Sequence, residues 1–141
     1  MIKFFLFALT SLSLSSAFAA SDCTPVHALG LCAQIQFEHA PTSDKDAPFT
    51  ITYTKLLPGG THGTQRVLSE HPFTVNLFMP DMGHGSSPVT ISLDETNVIY
   101  HVKDVYFVMA GAWEIRLNFV TADNKPIESI AIPVSVPNLA Y

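Results

Sequence analysis

Apolar and polar residues alternate in short runs along most of the chain, the period-two signature of strands that bury one face. Leu31, Ala33, Ile35 and Phe37 share one face of a run over 31–37. Between 49 and 57, Phe49, Ile51, Tyr53 and Lys55 alternate with threonines. Phe73, Val75, Leu77 and Met79 form a third row, with Thr74, Asn76 and Phe78 opposite. Shorter rows follow at 89–93, 98–102 and 105–108, and the last two read equally well as one strand or as two. Trp113, Ile115, Leu117 and Phe119 then alternate with Glu114, Arg116 and Asn118. A closing run over 127–136 contains Pro133, which cannot donate to a sheet and restricts part of the run to an edge or a bulge.

Turn chemistry separates these runs. Pro41 to Pro48 is a polar turn, Pro58-Gly59-Gly60 opens a loop, Pro80 to Pro88 forms another, and Ala122 to Pro126 reads as a hairpin connection. No ten-residue segment carries helical periodicity, and no internal repeat is present. Strands rich in β-branched and aromatic residues at this spacing predict an all-β fold: an immunoglobulin-like antiparallel β-sandwich of about seven strands.

The amino terminus breaks the pattern. Lys3 precedes an apolar run from Phe4 to Leu9, a mixed Leu/Ser stretch reaches Ser16, and Ala17-Phe18-Ala19 supplies a small-x-small cleavage site. Residues 1–20 therefore read as a cleavable, bacterial-type signal peptide, and residues 21–141 as a single β-sandwich domain. Cys23 follows closely, but lipoprotein processing favours a small residue just before the cysteine and Leu three before it. Asp22 and Ala20 stand there, which argues for release rather than lipidation. Nothing later offers eighteen consecutive apolar residues, so no stable membrane insertion is expected and the location is periplasmic or secreted. The whole chain carries a formal charge of −5, and Lys3 is the one charge in the leader. An acidic domain is a poor partner for nucleic acid.

Only two cysteines occur, Cys23 and Cys32. In an oxidising compartment they are expected to pair as a structural bridge, contributing about 2–3 kcal/mol through loop entropy. The competing reading, a redox-active or copper-binding thiol pair, favours tighter C-x-x-C spacing.

Met79-Pro80-Asp81-Met82-Gly83-His84-Gly85 is compositionally unusual, holding two of the four methionines beside a histidine and two glycines. Thioether sulfur and imidazole suit Cu(I), and imidazole also suits Cu(II). Met109 lies in Val108-Met109-Ala110-Gly111-Ala112-Trp113. The plain alternatives stand beside this reading. Met79 continues the apolar row of its strand, Met109 could pack on Trp113, and His84 could be a solvated loop residue. His62, in a similar Gly-rich turn, reads either as a second ligand or as a loop residue. His39 and His71 lie near strand ends with no partner spacing, His101 alternates with Tyr100 and Val102 so that the pattern assigns it no face, and His27 falls inside the Cys23–Cys32 loop.

The Met79–Gly85 segment, followed by Phe107-Val108-Met109-Ala110-Gly111-Ala112-Trp113, resembles the YtkA-like/FixH-like family of small exported β domains. That family pairs an M-P-x-M-G-H motif with a later F-x-M-x-G-x-W motif. The resemblance spans roughly residues 49–119. It implies an immunoglobulin-like sandwich with a link to copper handling, heavy-metal efflux or the assembly of copper oxidases. By motif, the metal candidates are Met79, Met82, His84 and Met109, with Gly83 and Gly111 shaping the backbone and Trp113 anchoring the core. FixH-like members are membrane-anchored, which this chain with its cleavable leader is not expected to be.

Catalysis is not expected: no Gly-x-Ser-x-Gly elbow, HExxH helix or phosphate-cradling glycine loop is present. The leading expectation is a periplasmic accessory protein that binds a copper ion through a Met/His loop. It would hand the ion to a copper-transport, efflux or oxidase-assembly partner. The alternative is an interaction module without metal that docks on a membrane transport or assembly complex.

Overall fold

A computed structural model describes residues 22–138; the leader assigned to residues 1–20 lies outside them. Among the described residues, ten strands run in chain order. They are β1 (Thr24–Val26), β2 (Leu31–Phe37), β3 (Phe49–Leu56), β4 (His62–Val67), β5 (Phe73–Met79), β6 (His84–Gly85), β7 (Thr90–Asp94), β8 (Ile99–Lys103), β9 (Gly111–Val120) and β10 (Pro126–Val136). Two antiparallel sheets form a sandwich, as the alternation predicts. One sheet has the order β1-β2-β3-β8-β7 with β4 also on β3; the other has the order β10-β9-β5-β6.

Alternating inward residues of both sheets make the core. Ala33 and Ile35 of β2, Phe49, Ile51 and Tyr53 of β3, and Tyr100 and Val102 of β8 face Val75 and Leu77 of β5 and Trp113, Ile115, Leu117 and Phe119 of β9. Pro133 sits on β10, the edge strand, paired opposite Glu114. Its missing N–H thus costs the sheet little.

The core aromatics form two groups. At one end of the sandwich Tyr53, Phe73, Tyr100 and Phe119 meet with ring centroids 5.0–5.9 Å apart. At the other, Phe49 touches Phe37 at 5.3 Å, Phe37 touches Phe107 at 6.3 Å and Phe107 touches Trp113 at 5.4 Å. The second end carries the Met/His motif.

Three strands lack the expected signal. β4, His-Gly-Thr-Gln-Arg-Val, has almost no apolar alternation because its side chains are mostly exposed. It forms through backbone pairing with the second half of β3, entered by a tight turn in which Leu57 N–H donates to the Thr61 carbonyl at 2.8 Å. β1 is the short arm of the cystine ring, with Pro25 opposite Cys32 and Gly30 turning at φ +61°. The Cys23–Cys32 bridge is formed, with Cα atoms 5.4 Å apart. β6 is two residues long and belongs to the candidate site.

The run over 105–108 is neither a second strand nor an extension of β8. Asp104 adopts φ +59°, which ends β8 and turns the chain. Val105 and Phe107 still point into the core, while Tyr106 and Val108 are exposed. Alternation was thus legible, but the segment pairs with loops and side chains instead of a strand. Full burial of Phe107 contributes about 1.5–3 kcal/mol and holds the segment against the sandwich.

Candidate functional site

β5 and β6 form a hairpin in which Met79 and His84 are cross-strand partners. Four residues, Pro80 to Gly83, connect them. The Met79 carbonyl accepts from Gly83 N–H at 2.9 Å and from Met82 N–H at 3.3 Å. Gly83 takes φ +66°, a left-handed conformation that costs a side-chain-bearing residue about 1 kcal/mol or more. Gly85 is favoured for a different reason: a Cβ there would stand 3.1 Å from the Leu77 carbonyl oxygen, a tight approach to backbone. Both glycines of the motif are therefore consequences of one tight hairpin.

The hairpin lies against the 104–110 segment and the start of β9. The Ser86 hydroxyl donates to the Tyr106 carbonyl. The His84 ring stands edge-on to Trp113 with centroids 5.8 Å apart, and the Trp113 indole N–H donates to the Met109 carbonyl at 2.9 Å. Trp113, 1% exposed, is thus both core anchor and bridge between the two motifs.

The candidate ligands occupy different depths. Met79 is 4% exposed, and its methyl lies where a side chain on Gly111 would be, 2.5 Å from the ideal Cβ position. Gly111 has φ +139°, so the glycine answers both a backbone demand and the close approach of Met79. Met82 is 60% exposed on the hairpin and Met109 38% exposed on the neighbouring loop. His84 is partly buried, with Nδ1 3.1 Å from the Gly85 carbonyl oxygen. A carbonyl only accepts, so in the neutral ring this contact places the proton on Nδ1 and the lone pair on Nε2, one of the two arrangements in which an imidazole can bind a metal.

His62 repeats the local arrangement, its Nδ1 3.0 Å from the Gly63 carbonyl oxygen and 3.3 Å from Thr54 Oγ1. It pairs opposite Leu56, however, where β3 leaves the sandwich at the end away from Met79. The two histidines do not converge. His39 has Nε2 2.9 Å from the Asp46 carbonyl oxygen in the β2–β3 loop.

Among the described residues, no group of three or more His, Cys, Asp or Glu side chains is placed to hold a metal, which leaves methionine sulfur as the further donor. Asp94 and Asp123 are held below the ordinary carboxylate range. The Asn97 side chain is the main cause for Asp94 and the Thr121 hydroxyl for Asp123. Asp123 is an exposed turn acid and Asp94 the half-buried last residue of β7, both at the end opposite the methionines. A cleft of about 580 Å³ also lies there, between Leu29, Leu31 and Leu68 with Lys55 and His71 at its walls.

Neither Tyr106 nor Val108 is a candidate site residue by sequence, yet both are exposed on the segment that carries Met109. The signal was present: Val105-Tyr106-Phe107-Val108-Met109 is apolar on both faces, and only one face can enter the core.

No family model matches the chain, and no curated protein or solved structure is significantly similar to it. The YtkA-like/FixH-like resemblance therefore rests on the two motifs themselves.

Proposed function

We propose that this is an exported copper-handling accessory protein that takes Cu(I) on Met82, His84 and Met109. Met79 lies beneath them as the packed floor of the site. The single observation that carries the reading is the Trp113 bridge. It touches the His84 ring and holds the Met109 backbone, so two motifs 25 residues apart meet at one end of the sandwich. Two thioethers and one imidazole form a soft, weakly charged donor set that favours Cu(I) over harder ions. Exposure of both methionines suits ligand exchange with the matching site of a transport, efflux or oxidase-assembly partner.

Titration of the apo protein with Cu(I) against a competing chelator tests the reading. Affinity tighter than micromolar, lost at least tenfold in Met82→Ala plus His84→Ala, is the expected result. Micromolar or weaker binding that ignores both substitutions removes it.

A second reading draws on a separate observation. Met82, Tyr106, Val108 and Met109 are exposed apolar residues from two adjoining segments. Such a surface serves a metal-free module docking on a transport or assembly complex. The same titration separates the two, because docking makes no demand on the sulfurs as donors.

A further inference from the structure

Met109 rides on a segment, 104–110, that belongs to no strand, yet side chains from three other elements tie it down. Asp46 Oδ1 accepts from Val105 N–H at 2.7 Å, and the adjacent Ala47 N–H donates to the Val105 carbonyl at 2.9 Å. Thr90 Oγ1 donates to Asp104 Oδ2 at 2.5 Å, and the Ser86 hydroxyl donates to the Tyr106 carbonyl. Asp46 is the centre of this arrangement. Its carboxylate stands in for the missing strand partner of Val105, and its own backbone is steadied by His39 Nε2 on the Asp46 carbonyl at 2.9 Å. Ala47 itself is fully buried.

We propose that Asp46 is a positioning residue for the Met109 side of the metal site: it fixes the 104–110 segment against the hairpin and so sets the affinity of a site it does not touch. This rests on the copper reading above. The physical argument is that an exposed loop ligand contributes fully only when its backbone is already in place, since otherwise binding must supply the ordering entropy. Partners that orient ligands from outside the coordination sphere typically change metal affinity by about 10–100-fold when removed.

Three substitutions test it in the full mature chain. Asp46→Ala is expected to weaken Cu(I) binding by about tenfold and to speed hydrogen exchange at the Val105 amide. Asp46→Asn keeps an Oδ1 acceptor of the same shape, so it should restore both readings to near the wild-type level. Should Asp46→Ala not fold, Asp46→Glu displaces the same carboxylate by one methylene and should show the affinity loss in smaller measure. Unchanged affinity and unchanged Val105 exchange in the Ala or Glu variant overturn the proposal. So does an affinity loss that Asp46→Asn fails to rescue. A wild-type protein that binds no Cu(I) overturns the copper reading instead. Val105 exchange then still decides whether Asp46 holds the loop.

Discussion

Gly111 and Met79 make the most exacting quantitative case in the molecule. A methyl group added at Gly111 would meet Met79 Cε at 2.5 Å, on a backbone with φ +139° that side-chain-bearing residues rarely adopt. The backbone strain costs about 1–3 kcal/mol, and shifting Met79 Cε, the end of a flexible but buried side chain, adds about 1–2 kcal/mol. Gly111→Ala should therefore destabilise the domain by about 2–5 kcal/mol, a large share of the roughly 5–15 kcal/mol available to a small domain. Met79→Ala alone removes a side chain only 4% exposed and should cost about 2–5 kcal/mol through lost burial and the cavity left behind. Combined, the two substitutions compensate: the new methyl occupies space vacated by Met79, leaving the backbone strain but relieving the overlap. The double variant should then be about 1–2 kcal/mol more stable than the sum of the singles predicts. Urea unfolding of apo protein with its disulfide intact, followed by the fluorescence of Trp113, measures all four corners of the cycle. Additivity within about 0.5 kcal/mol would refute the claim that Gly111 exists to accommodate Met79.

Other outcomes follow from single features. The Tyr53 hydroxyl is buried without a hydrogen-bond partner, and burial, then the neighbouring Tyr100, drives its ionisation well above the ordinary phenol range. Tyr53→Phe should be neutral or raise stability by about 1 kcal/mol, read as a melting temperature unchanged or increased. Because the folded-state pKa is raised, the stabilising contribution of neutral Tyr53 is complete below about pH 10, where the unfolded phenol titrates. It is lost above that pH, so wild type should weaken more steeply than Tyr53→Phe between about pH 10 and 11.5; parallel curves would contradict the burial argument. Cys23→Ser with Cys32→Ser should lower stability by about 2–3 kcal/mol in urea unfolding, and an unchanged midpoint would show that the β1 arm adds nothing.

The sandwich was legible because burial on one face writes itself into the sequence as alternation. β2 and β5 match their predicted bounds residue for residue, and Trp113 to Phe119 falls inside β9. β4 was not legible, since a strand held by backbone pairing with both faces wet leaves no apolar period. The 105–108 run shows the converse: Val105 and Phe107 alternate inward, yet Asp104 turns the backbone and Asp46 takes the bond a strand would have made. At the candidate site, the residue types were readable from donor chemistry and the glycines from turn chemistry. Depth was not. That Met79 lies under Gly111 while Met82 stands in solvent depends on the register of β5 against β6 and β9, a long-range property. The separation of His62 from His84 is likewise a matter of which sandwich end each hairpin occupies.

β3 divides its outer edge between two neighbours. Phe49 to Ile51 pair with β8, whereas Tyr53 to Leu56 pair with β4. The fork makes the first sheet behave as two leaves on one spine. Peeling β4 away exposes no ladder bond of β8, so opening at the His62 end can proceed without reaching the end that carries Met82, His84 and Met109. Grafted or lengthened 57–61 turns should be tolerated for the same reason. One side-chain bond still joins the two leaves, Arg66 Nη1 to the Asn97 carbonyl at 3.2 Å, and the 57–61 turn offers an end for attachment and tagging away from the soft donors.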